Sequence, residues 1–137
     1  MSFNEYLKES LGDSYKIQTE QMIKNAPDEV KQVFKEMQAN AAKAAEYQIK
    51  DKNENGQEAE HIRDFWQDAI FFRFDKERNQ YSFSNNYGGY ISLFYRVDEE
   101  PHWVYWDRWG DDGDGGFKPM KNGFKEAMAN ASVFFTG

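Results

Sequence analysis

The chain has 137 residues, no Cys, a net charge of −7 and a pI near 4.9. That length buries the core of one ordinary domain without staples, and the missing Cys excludes disulfides, Cys-based zinc sites and thiol nucleophiles. The charge argues against phosphate-led nucleic-acid binding and against anionic membranes, which repel it on approach, and favours a basic partner.

The opening MSFNEYLKES has no basic region followed by an apolar run, and no stretch approaches the ~18 uninterrupted apolar residues of a membrane span. The expectation is a cytoplasmic protein whose single domain spans residues 1–137. Ser2 and Glu5 form a capping box, and Phe3, Tyr6, Leu7 and Leu11 follow at helical spacing until Gly12 and Asp13 interrupt. Tyr15, Ile17, Met22 and Ile23 suggest a second helical piece that ends before Pro27. From Pro27 onward, acids in the first turn and Val30, Val33, Phe34, Met37, Ala41, Ala44, Ala45 and Ile49 at three- and four-residue steps predict a long helix. DKNENGQ breaks the pattern, and Ala59, Ile62, Phe65, Trp66 and Ala69 resume it.

From about Ile70 the apolar period becomes two. IFFRF and QYSFS flank DKERN, YISLFYRV and HWVYWDRW flank DEEP, and NNYGG joins the pairs, which reads as two consecutive hairpins in an antiparallel meander. An acidic Gly/Asp loop follows at 110–117. Residues 119–137 then hold a C-terminal helix, with Phe124, Ala127 and Met128 inward, and an apolar SVFFTG tail that packs back on the core as a short edge strand. The predicted class is α+β, with N-terminal helices over about 2–68 packed on an antiparallel sheet of about four strands over 69–110, and a C-terminal helix.

Alternation sorts each strand into two faces. Ile70, Phe72, Phe74, Tyr81, Phe83, Ile91, Leu93, Tyr95 and Val97 fall on core faces. In the fourth strand Trp103, Tyr105 and Trp109 share one face and Trp106 shares the opposite one with Val104 and Arg108. The nominally outer face therefore still carries Phe71, Tyr90, Phe94 and an aromatic of this last strand, interleaved with Arg73 and Arg96 and, if Trp106 is that aromatic, Arg108. A sheet covered by helices on one side normally turns polar residues outward. Two explanations stand together. Either the C-terminal helix and tail cover the second face, or part of that face is a binding platform, because Trp, Tyr and Arg anchor protein interfaces.

The stretch HWVYWDRWGDDGDGG, residues 102–116, joins the most aromatic run of the chain to its most acidic. Between Asp98 and Gly116 stand seven acids and one base, which is −6 of the −7, and 15 of the 24 aromatics lie between Phe65 and Trp109. Asp111, Asp112 and Asp114 invite a calcium reading, but counted from Asp112 an EF-hand loop would need a ligand where Gly116 stands, Gly where Phe117 stands and Glu where Gly123 stands. A phosphate cradle is excluded by the carboxylates around those glycines. His61 and His102 have no metal-binding or catalytic partner at a diagnostic spacing, and no catalytic residue is assigned. Phe71, Arg73, Tyr90, Phe94 and Arg96 form a candidate stacking platform for RNA, without the basic surroundings that RNA demands.

These features lead to an acidic, non-enzymatic protein-binding domain. The expected function is that of an inhibitor or immunity-type protein that neutralises a basic partner such as a bacterial toxin or nuclease. Tyr105, Trp106, Arg108 and Trp109 supply contact area, while Glu99, Glu100, Asp107, Asp111, Asp112 and Asp114 steer the encounter. The alternatives are a small-ligand or calcium-binding domain, or a phage-type anti-defence mimic of nucleic acid. Apart from calcium, no cofactor is expected.

Overall fold

The computed structural model describes residues 19–85, 91–107 and 116–136. Residues 19–24 are helical, and Pro27 precedes a long helix, α1 (Asp28–Lys52). Asp28 and Glu29 in its first turn, and Lys50 and Lys52 in its last, complement the helix dipole. It ends where Asn53 turns left-handed (φ 55°, ψ 40°), and the Glu54 N–H closes the turn on the Ile49 carbonyl at 3.0 Å. The inward stripe is the one the periodicity predicts, with Val30, Val33, Met37, Ala41, Ala44, Ala45 and Ile49 buried. Helix α2 (Gly56–Asp68) packs alongside, and the capped segment around residues 2–12 lies outside the described residues.

The sheet has five antiparallel strands in sequential order: β1 (Ile70–Asp75), β2 (Gln80–Asn85), β3 (Ile91–Arg96), β4 (His102–Asp107) and β5 (Gly116–Pro119). The first four are those expected. The fifth takes Gly116 and Phe117 from the expected loop and pairs Trp106 with Phe117 and Val104 with Pro119. The β1–β2 turn closes on Asp75, whose Oδ1 accepts the Glu77 and Arg78 N–H groups at 3.1 and 3.2 Å. Asn79 (φ 50°) ties that turn to β3, because its carbonyl accepts the Val97 N–H at 2.9 Å and its Nδ2 donates to the Val97 carbonyl at 2.7 Å.

Helix α3 (Phe124–Ser132) joins the same core as α1. Val30, Val33, Met37 and Ala41 of α1, and Ala127 and Ala131 of α3, meet Phe72, Phe83, Leu93, Tyr95 and Trp103 of the sheet in one cluster. The C-terminal helix and tail therefore lie on the helical side, which removes the idea that they cover the second face. The tail is not an edge strand either. Residues 133–136 form turns, with Phe134 and Phe135 packed against the core.

Asn40 explains that arrangement. It is 1 % exposed on α1, where its Oδ1 accepts the Phe135 N–H at 2.7 Å and its Nδ2 donates to Thr136 Oγ1 at 2.8 Å. A buried amide is tolerated only when both ends are satisfied, and the tail satisfies both. A second link joins α1 to the sheet, since the Glu29 carboxylate receives long contacts from Trp103 Nε1 (3.4 Å) and the Tyr95 hydroxyl (3.5 Å). Burial first, and then the Glu29 charge, raise the Tyr95 phenol above its usual pKa; burial alone does the same to Tyr81. No helix among the described residues is long and apolar enough to cross a membrane.

Candidate functional site

The outer face of the sheet is built by register alone. Antiparallel pairing aligns Phe71 with Ser84, Arg73 with Ser82, Ser82 with Phe94, Phe94 with Val104, and Ser92 with Trp106, and β5 adds Phe117 beside Trp106 and Pro119 beside Val104. Ser82 and Ser84 of β2 lie beside Phe71 and Arg73 of β1, and Phe94, Trp106 and Phe117 cluster with Ser92 on the β3–β5 side. Every described helix that joins the core does so from the opposite side.

Phe117 organises the aromatic half. Its ring lies 5.2 Å from that of Phe94 in an edge-on arrangement, and the Arg96 guanidinium sits 5.4 Å from its centroid. Both partners come from β3, so Phe117 reaches across β4, and Val104, paired with Phe94 on one side and Pro119 on the other, is only 4 % exposed although it faces outward. Phe117 itself stays 53 % exposed. Arg73 lies 5.9 Å from the Phe71 ring. Such cation–π contacts contribute about 0.5–1 kcal/mol at exposed sites and hold a guanidinium flat against the surface. Among the described residues neither Arg73 nor Arg96 has a carboxylate at ion-pair distance.

Trp106 is half-buried on this outer face, whereas Tyr105, one residue earlier, turns inward and packs against the core beside Trp103. Glu99 and Glu100 are exposed in the β3–β4 turn. Asp107 ends β4 and is half-buried. Tyr90, Arg108, Trp109, Asp111, Asp112 and Asp114 lie outside the described residues, so the calcium reading rests on residues that are not described. No group of three or more His, Asp or Glu able to hold a metal occurs among the described residues.

The topology also separates the described acids. Glu99 and Glu100 precede the six-residue β4, and Asp107 ends it. At ~3.4 Å per residue the two ends of that strand stand about 17 Å apart. His102 sits at the first end, with its Nδ1 3.0 Å from the Glu100 carbonyl and 3.8 Å from Asp98 Oδ2, while His61 is exposed on α2.

Sequence reading missed Phe117. A lone apolar residue in GFKP is too short a signal for a strand, and only its pairing with Trp106 assigns it to the sheet. Comparison with known protein families, curated proteins and solved structures finds no significant match.

Proposed function

We propose that the protein is a binding domain of the inhibitor or immunity type, which docks a basic protein, such as a bacterial toxin or nuclease, against the outer face of its sheet. The observation that carries this reading is Phe117, more than half exposed in an aromatic cluster with Phe94 and Arg96, on a face that the core helices leave open. Aromatic and Arg side chains at the centre of a patch supply the buried anchors of protein interfaces, and Trp106 and Phe117 fill that role. Acids at both ends of β4 attract a basic partner from a distance and discriminate by charge. Arg73 and Arg96 offer their donors to carboxylates or backbone carbonyls of the docked surface.

The test begins with a tagged pull-down from host lysate, eluted with a salt gradient, followed by kinetics on the protein recovered. Reversing Asp111, Asp112 and Asp114 to Lys should slow association and flatten its salt dependence, while Phe117→Ala should speed dissociation at nearly unchanged on-rate. Binding that ignores both changes would overturn this assignment. Failure to recover any basic protein would direct attention to small ligands.

A further inference from the structure

We infer that α1 carries a second, self-complementary face through which two copies of this chain associate about a two-fold axis at Tyr47. Tyr47 is 75 % exposed, more than any other large apolar side chain among the described residues. It flanks the buried stripe of α1, next to Asn40 and Ala44, yet stands outside the core cluster that the stripe joins.

The charges around it carry the argument. Lys43, Tyr47 and Asp51 stand at successive four-residue steps and therefore share one stripe of α1. Lys43 and Asp51 are exposed, and neither forms an ion pair among the described residues. Eight residues of helix hold them about 12 Å apart, too far to pair with each other. Read backwards, the order Lys–Tyr–Asp is its own electrostatic complement. A two-fold axis through Tyr47 exchanges the positions four residues before and after it, so each Lys43 meets the other copy's Asp51, twice over. That is the defining property of an isologous interface, and an unrelated partner has no reason to present the same order inverted. Glu46, next in sequence, does not disturb the pattern because Arg63 already binds it at 2.7 Å.

The shape agrees with the charge. Tyr47 borders a groove of about 640 Å³ whose aromatic walls are Trp66 and Phe135. The two rings meet edge-on with centroids 5.7 Å apart, and Trp66 Nε1 donates to Gln48 Oε1 at 2.8 Å, so the walls are set before anything binds. Placing the second copy's Tyr47 in this groove immobilises one side chain against rigid rings, which limits the entropy lost on association. The face lies on the helical layer, away from the outer face of the sheet, so its success or failure is independent of the partner assigned there.

Sedimentation equilibrium of the whole chain at low salt tests the proposal over roughly 10 µM to 1 mM, where a small interface rimmed by charge dissociates. The protein should pass reversibly from monomer to dimer. Lys43→Glu and Asp51→Lys, each checked for an unchanged thermal midpoint, should weaken self-association by at least about tenfold, because each sets two like-charge contacts across the axis. An equimolar mixture of the two variants should recover the dimer as a heterodimer. A wild-type chain that stays monomeric over this range would overturn the proposal. So would a dimer indifferent to both substitutions, or a mixture that fails to associate.

Discussion

Both faces of the sheet carry aromatic side chains, and these have opposite fates. On the inner face Phe72, Phe83, Leu93 and Trp103 are essentially buried beneath α1 and α3, with rings in mutual contact (Phe72–Phe83 at 5.0 Å, Tyr95–Trp103 at 5.0 Å). On the outer face Phe94, Trp106 and Phe117 are only partly covered and share the surface with Ser82, Ser84, Ser92 and two arginines, with Phe117 against the Phe94 ring and the Arg96 guanidinium. The difference teaches that aromatic content alone does not mark a core. What separates stability from recognition is whether a second layer arrives, and here α1, before the sheet in sequence, and α3, after it, join the same side.

That contrast can be attacked from its strongest point downwards. Phe83→Ala empties a fully buried site between α1 and β4, where it also stacks near Phe34 and Trp103, and should cost about 3–5 kcal/mol in urea unfolding. Asn40→Ala leaves the Phe135 N–H without its acceptor and should cost about 1–3 kcal/mol. The tail should then become sensitive to carboxypeptidase. Tyr81 and Tyr95 have raised phenol pKa values in the folded state. A raised value means that the folded chain holds the proton more tightly, so this stability is complete below the unfolded value of about 10 and is lost as the pH rises beyond it. The thermal midpoint should therefore fall above that pH, and less steeply in Tyr95→Phe.

Phe117→Ser is the sharpest probe of the comparison. If the outer face is a contact surface, the substitution should cost less than about 1 kcal/mol, because a half-exposed side chain forfeits little burial, while partner binding drops. A loss as large as that of Phe83→Ala would mean that the outer face is core after all. The smallest effect belongs to Arg63→Ala. Its hydrogen bond holds the Glu46 carboxyl below the usual carboxylate range, but the pair is exposed to screening solvent, and the thermal midpoint should not move measurably.

Much of this architecture is already visible in residue order. The stripe from Val30 to Ile49 identifies α1, the change of period at Ile70 marks the start of the sheet, and alternation correctly separates Phe72 from Arg73 and Trp103 from Val104. These are local signals, written in steps of two, three and four residues, and they survive whatever surrounds them. Strand β5 escapes such reading because four residues around one Phe carry no period. The C-terminal tail escapes it for a different reason: SVFFTG is apolar enough for an edge strand, but the buried Asn40 accepts and donates its hydrogen bonds first.

By itself, then, the sequence determined the class of fold, the order of α1, α2, the first four strands and α3, the two faces of those four strands, and the concentration of charge between Asp98 and Asp114. Only the tertiary structure decided which apolar face the described helices cover, that Phe117 joins Phe94 and Arg96, and that Glu99 and Glu100 stand at the opposite end of β4 from Asp107. The physical reason is range. Periodicity is set by neighbours a few bonds apart, whereas coverage depends on where two distant helices find buried area together, and that competition leaves no trace in any short stretch of residues.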